Sequence, residues 1–234
     1  MVRTGPPGRW KRYGIKRAHN STSMVKPMLQ HRVQTITKRM ADILVSMIGL
    51  VCLLPLFALV CVLIAIDSPG SPFFLQTRVG RYGRRFRMMK FRSMFVDADK
   101  RMEDPRILAE AEAAGRVVKL KRDPRVTRIG KLLRTTSLDE LPQLINVFFG
   151  HMSLVGPRAL TPNMVEPYPD WSKARHVMRP GITGLWQVSA RERNESLEDM
   201  IDYDLDYIRR WSLYLDAAIL ARTPGVVISR RGAV

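Results

Sequence analysis

Ile43 to Ile66 is a run of 24 residues without a charge, ILVSMIGLVCLLPLFALVCVLIAI, bracketed by Asp42 and Asp67. A segment apolar on every face does not lie on a water-exposed surface. As one helix it would be about 36 Å long, enough to cross a hydrocarbon core of roughly 30 Å. Two features argue against a simple crossing. Pro55 lies near the middle, where it removes a backbone donor and favours a kink. Both flanks are basic: Lys38 and Arg39 precede the run, and Arg78, Arg81, Arg84 and Arg85 come after it. Lys and Arg mark the cytoplasmic side of a membrane, so both ends favour the same side. The residues point first to a re-entrant segment bent at Pro55, ahead of a single span or a buried core helix. A cleaved signal peptide fits badly, because the run is too long and no small-residue cleavage site comes after it. Cys52 and Cys61 read as apolar filler, and two cysteines exclude a disulfide scaffold or a Cys-rich zinc site.

The remaining charge is regional. The 234-residue chain carries a net +18, yet the first 135 residues hold 28 Lys/Arg against 9 Asp/Glu and the last 99 hold 11 against 12. Residues 1–40 contain no acid. An excess of this size implies a polyanionic partner: nucleic acid, anionic membrane lipid or a phosphorylated substrate. Gly5, Pro6, Pro7 and Gly8 disfavour a helix at the start, so residues 1–34 read as a mobile basic arm. Residues 35–67 then form the membrane segment and 68–234 the body of the protein.

Within that body, FFLQTRVG and RRFRMMKFRSM alternate weakly about Arg81–Tyr82–Gly83, as in a hairpin. Pro105 to Gly115 reads as a helix. Val126 to Leu133 is a basic amphipathic stretch, and another helix is expected from Ser137. Thr161 to Gly184 is rich in Pro and Gly and reads as mostly loop. Leu197 to Arg222 reads as one long helix ended by Pro224–Gly225, with Leu205, Ile208, Trp211, Leu215 and Ile219 forming a core stripe. The expected fold class is mainly α with a small β component, α+β.

The chemistry candidates begin with adjacent Asp139 and Glu140 in RTTSLDELPQL. Ser137 and Glu140 have the spacing of a capping box, in which Asp139 merely favours the positive end of the helix. The same position would keep a carboxylate ionised and facing incoming anions, ready to serve as a nucleophile or metal ligand. Lys90, Arg134 and Arg158 could together clamp phosphate oxygens, although each alone reads as a solvated charge. No phosphate-binding glycine loop, HExxH or GxSxG is present. A Mg²⁺ held by carboxylates and substrate phosphates leaves no spacing signature and stays open.

Six blocks then carry a resemblance. They are KRMADILVSMIGLVCLLPL, DSPGSPFFLQTRVGRYGRRFRMMKFRSM, TSLDELPQLINVFFGHMSLVGPRAL, RPGITGLWQVSAR, YDLDYIRRWSLYLD and ILARTPGVVISRRGA. From about Lys38 to Ala233 the chain resembles the bacterial sugar transferases, the small monotopic phosphoglycosyl transferases. The resemblance implies transfer of a sugar 1-phosphate from a UDP-sugar to polyprenyl (undecaprenyl) phosphate, releasing UMP and starting membrane glycan or exopolysaccharide assembly. It makes Asp139 the nucleophile that forms an aspartyl phosphosugar, Glu140 its dyad partner, and Mg²⁺ the ion held near both. It places Lys90, Arg134 and Arg158 on the substrate phosphates. It also implies a re-entrant membrane helix hairpin bent near Pro55, amphipathic interfacial helices and a compact cytosolic catalytic domain, at the cytoplasmic face of the bacterial inner membrane.

Partners so implied are the UDP-sugar, the polyprenyl phosphate and anionic membrane lipids, with no nucleic acid and with self-association left open. Larger relatives carry extra N-terminal membrane helices, so the chain is expected to be of the minimal catalytic type. Four positions depart from the family pattern. His151 stands where Asp is usual, Ala159 where Pro is usual, Leu54 where Ser often precedes the proline, and Ala190 where Gly is usual. If an acid at 151 holds a helix or the loop presenting Arg158, its loss loosens the site, and a lapsed enzyme is one reading of it. The other class of function is a non-catalytic, membrane-anchored basic protein that binds anionic lipid or nucleic acid. The basic runs lack the interleaved aromatics of a stacking platform.

Overall fold

The computed structural model describes residues 25–98, 123–167, 173–189 and 197–229, with side chains from residue 32 onward except at 198. The arm up to residue 24, the helix expected at Pro105–Gly115, and Ala190 lie outside the described residues. Contacts divide the chain into Met1–Ile36 and Thr37–Val234. The described part of the first unit is the opening of helix α1 (Val25–Cys52), so helix already occupies the end of the stretch expected as arm. Every later element belongs to the second unit.

The apolar run is two helices, the end of α1 and α2 (Leu54–Asp67), bent by 60°. Pro55 sits in the first turn of α2, where a backbone donor would have no partner inside the helix. The Leu53 amide still donates to the Gly49 carbonyl at 2.9 Å, and the Phe57 amide to the Leu53 carbonyl at 2.8 Å. The break therefore costs few hydrogen bonds, and no hydroxyl at position 54 is needed to support it. Among the described residues no single helix is long and apolar enough to cross a membrane; the bent pair passes that test together.

One face of this pair packs on the body of the protein. Phe57, Val60 and Ile64 join Phe91 and Leu133 in a buried cluster. The opposite faces expose Leu44, Ile48, Val51, Leu54, Leu59 and Ile66. The two bracketing acids are anchors. Asp42 accepts from the Leu154 amide at 3.0 Å. Asp67 accepts from the Ile129 amide at 3.0 Å, in the first turn of helix α3 (Arg128–Thr136), a favourable site for a carboxylate.

The hairpin expected about Arg81–Gly83 is present. β1 (Phe73–Val79) pairs antiparallel with β2 (Arg85–Phe91), with Arg78 opposite Phe86 and Phe74 opposite Lys90. A second, parallel pair joins β3 (Ser153–Val155) to β4 (Gly181–Thr183). The segment expected as loop thus contains β4 and a short helix, α5 (Pro162–Val165). Glycine is required here because the strands' backbones nearly touch: a Cβ on Gly181 would collide with the Gly156 amide. The protein is mainly helical with a small sheet component, as α+β requires.

Two further expectations are corrected. No helix starts at Ser137. That residue has left-handed backbone angles (φ 56°, ψ 17°), ends α3 and makes no side-chain cap; Leu138–Glu140 is a single 3-10 turn before α4 (Gln143–Phe148). The capping box fails because a left-handed Ser137 does not present its hydroxyl to the turn, and because Glu140 bonds Lys90 instead. The long C-terminal helix is also two, α7 (Leu197–Arg210) and α8 (Leu213–Ile228), which come after α6 (Leu185–Ser189). Ser212 is extended and its hydroxyl accepts from the Leu215 amide at 3.1 Å, starting α8. Pro224 lies inside α8 rather than ending it. The expected stripe is core: Leu205 is buried, and Ile208, Trp211, Leu215 and Ile219 pack around Tyr207 and Val155.

Charged groups tie α1 to this core. Lys38 donates to the Val155 carbonyl at 2.9 Å and pairs with Asp216 at 2.6 Å. Asp216 also accepts from the Tyr207 hydroxyl at 2.7 Å. Burial, with the Asp216 charge beside it, pushes the Tyr207 hydroxyl far above its ordinary pKa, so it remains a donor.

Candidate active site

Four elements deliver the charged groups to one place. Strand β2 carries Lys90, α3 carries Arg134 in its last turn, the 3-10 turn carries Asp139 and Glu140, and the loop after β3 carries Arg158. Lys90 Nζ donates to Glu140 Oε1 at 2.8 Å and lies 3.9 Å from Asp139 Oδ2. Asp139 is buried at 8% exposure, where water screens its charges little.

Arg134 stands by Asp139 from the α3 side, its Nε donating to Ser93 Oγ at 2.9 Å. Burial lowers the pKa of its guanidinium, and Asp139 and Asp123 draw it back up. Arg158 rests over the Trp186 ring at 5.4 Å. Of the five charged residues singled out in the sequence, the structure joins Lys90, Asp139 and Glu140 by direct pairing. Pro55 lies at the bend between α1 and α2 and lines neither of the site's two cavities.

Arg78 escaped the sequence reading. It lines a small cleft together with Lys90, Glu140, Gln143 and Arg158. Its pKa falls to about 10 through burial, then through the Arg158 charge, with Glu140 opposing; it stays a cation. One guanidinium nitrogen donates to the Ala159 carbonyl at 2.9 Å, while its buried Nε has no protein partner among the described residues. A signal existed: in the hairpin register Arg78 and Lys90 fall on the same face, and position 158 lies just past a strand.

The loop holding Arg158 is fixed from beneath. Arg175 and Asp204, each 1% exposed at the side chain, pair at 2.6 Å. Asp204 accepts from the Arg158 amide at 3.3 Å, and Arg175 donates to the Arg158 carbonyl. Position 151 plays no such part: His151 is exposed and stacks on Phe86 at 5.9 Å. In this chain the backbone of Arg158 is held by Asp204 and Arg175, not by residue 151. Ala159 is buried against Phe86 and Met88.

Two cavities share Glu140, Arg158 and Ile182 as a border. One is the small cationic cleft of Arg78 and Lys90. The other is larger, about 310 Å³, and mainly aliphatic. Glu140 thus has cations on one side and an apolar chamber on the other, while Asp139 lines neither of these two cavities. Arg158 borders both cavities; Arg134 lines neither and is coupled to Asp139 by charge.

The carboxylates are the donors available to a metal. Among the described residues no three His, Cys, Asp or Glu converge. A hard divalent ion would take Asp139 and Glu140 and complete its shell with water and phosphate oxygens, which is how Mg²⁺ is usually held.

The family model described as bacterial sugar transferase matches residues 33–230. The chain is 43% identical over 201 residues to a UDP-galactose-lipid carrier transferase of Erwinia amylovora, covering 84% of this chain and 41% of that protein. It is 40% identical over 210 residues to the undecaprenyl-phosphate galactose phosphotransferase of Salmonella typhimurium, covering 88% and 43%. With the exopolysaccharide production protein ExoY of Sinorhizobium fredii it shares 39% over 198 residues, covering 83% and 87%. The chain thus spans less than half the length of the first two relatives and most of the third. A match over nearly the whole described body, on a fold that gathers the LDE and GPR blocks at one cleft, means that this chain belongs to the bacterial sugar transferase family.

Proposed function

We propose that the protein transfers a sugar 1-phosphate from a UDP-sugar to undecaprenyl phosphate. The observation that carries this reading is the pairing of Asp139 and Glu140 with Lys90 beside Arg78 and Arg158, in a family whose members are named for such transfers. A carboxylate oxygen of Asp139 attacks the sugar-bearing phosphorus. The bond from that phosphorus to the bridging oxygen breaks, and UMP leaves with the electron pair. An oxygen of the lipid phosphate then attacks the aspartyl phosphosugar, and the Asp139 carboxylate departs unchanged. Neither step requires a proton from the protein, because each nucleophile is already an anion.

Lys90 holds Glu140 and faces Asp139, which fixes the attacking carboxylate and lowers its repulsion toward phosphate. Arg78 and Arg158 offer their donors to phosphate oxygens. Mg²⁺ suits the Asp139–Glu140 donor set and, when bound, would neutralise phosphate charge. The test is UMP release from a panel of UDP-sugars with undecaprenyl phosphate and Mg²⁺. Release from one sugar with lipid-dependent turnover supports the reading and names the donor; release from none refutes it.

The bent α1–α2 pair is read as re-entrant at the cytoplasmic face of the inner membrane, with basic flanks facing anionic lipid. Its exposed aliphatic faces and 60° bend support this. Tags at residue 1 and residue 234 should both be protected in intact cells. An accessible N-terminal tag with a protected C-terminal one would instead establish a crossing.

A further inference from the structure

We propose that the aliphatic cavity beside Glu140 seats the isoprene units next to the phosphate of the polyprenyl phosphate acceptor. This rests on the transfer reaction proposed for the site. The cavity holds about 310 Å³, roughly twice the ~150 Å³ of an engineered apolar cavity that takes up benzene. It has room for the first few isoprene units. Its walls include Leu141 and Leu144 around the start of α4, Ile182 on β4, Val188 on α6, and Leu220 and Val226 on α8. Branched aliphatic walls match a branched hydrocarbon, and burying it there is favourable in proportion to its apolar area. No aromatic ring lines the cavity among the described residues, so it offers a nucleobase no stacking surface.

Polar groups orient the ligand. Glu140 and Arg158 close the end shared with the cationic cleft. Gln187 also lines the cavity and is 7% exposed, yet both of its amide atoms lack a hydrogen-bond partner. Such an orphaned amide is costly. A phosphate ester would give its N–H an acceptor and give Arg158 a counter-charge, leaving the hydrocarbon to the aliphatic walls.

The wall leads toward the membrane segment. Leu144 lies against Gly49 of α1, and Leu141 packs on the α2 cluster. Hydrocarbon arriving beside these helices meets the cavity first and reaches Glu140 with its phosphate. The donor's diphosphate, with more charge, belongs to the cleft of Arg78 and Lys90. The two substrates then approach the acid pair from different chambers.

The test uses the full chain in lipid nanodiscs. Val226→Trp places an indole in the cavity. Gly225→Ala is the control, because a Cβ there meets nothing within 4 Å. Val226→Trp is expected to raise the KM for undecaprenyl phosphate about tenfold or more, while first-turnover UMP release without acceptor keeps its rate. A rise confined to the donor KM would overturn the proposal and assign the cavity to the UDP-sugar; two unchanged KM values would also overturn it. A benzophenone-bearing isoprenyl phosphate gives a readout on the wild-type protein that needs no turnover. Crosslinks are expected within the wall segments 136–144, 182–188 and 220–227, and crosslinks confined to segments outside these walls would refute the seat. If no UDP-sugar releases UMP, the transfer reading fails, and the crosslinks still decide whether the cavity takes the lipid.

Discussion

Asp139→Asn is expected to reduce UMP release on the order of 10⁴-fold or more, the scale seen when a covalent nucleophile is lost. Asparagine keeps the shape and one acceptor oxygen but lacks an anionic nucleophile. The fold should survive, because Lys90 keeps its 2.8 Å partner Glu140 when the Asp139 charge is removed. The thermal midpoint should therefore move by only a few degrees. Intact-protein mass spectrometry with donor alone should detect a sugar-phosphate adduct on the wild type and none on the variant. Near-wild-type turnover by Asp139→Asn would refute the nucleophile assignment. Lost activity with a normal adduct would move the role of Asp139 to the second step.

The second large effect concerns the support beneath the site. Asp204→Asn should destabilise the protein by about 3–5 kcal/mol, since it leaves the Arg175 guanidinium buried without a counter-charge. Both side chains are 1% exposed, so water does not take the place of the lost carboxylate. Denaturant titration would measure this as a fall in the midpoint at unchanged slope. Replacing both partners together, Arg175→Met with Asp204→Leu, should recover part of the loss because no charge is then stranded. Recovery of stability without recovery of donor KM would separate the two jobs of the pair. One is holding the core. The other is gripping the amide and carbonyl of Arg158 so that its side chain stays over Trp186. A stability loss below about 1 kcal/mol for Asp204→Asn would show that the pair is not an essential anchor.

Much of the site was legible because its chemistry is dense in the sequence. Asp139 and Glu140 are adjacent in a short block, and Lys90, Arg134 and Arg158 stand out as cations among apolar or small neighbours. Arg78 was not legible from composition: it is one of five arginines between residues 78 and 87, and composition cannot rank them. Strand register ranks them, because alternate residues face one side and only Arg78 shares the cleft with Lys90. The capping box misled for a related reason. Spacing allows Ser137 and Glu140 to satisfy each other, but Lys90, 50 positions away in the chain, offers Glu140 a full charge. The break at Ser212 was written in a cap residue, yet the apolar period ran straight through it. The stripe continues because both helices pack on one core.

The sequence by itself determined the elements whose cause is local. Twenty-four uncharged residues require an apolar environment, a proline in their middle requires a bend, and alternation about Tyr82–Gly83 requires a hairpin. Tertiary structure decided what depends on partners distant in the chain. It chose Arg78 among its neighbours, made Asp204 rather than residue 151 the support of Arg158, drew β4 out of a glycine-rich loop, and left an aliphatic chamber next to paired carboxylates. Local preferences amount to a few tenths of a kcal/mol to about 1 kcal/mol per residue. A buried charge left without its partner costs several times that, so long-range pairing prevails wherever the two compete.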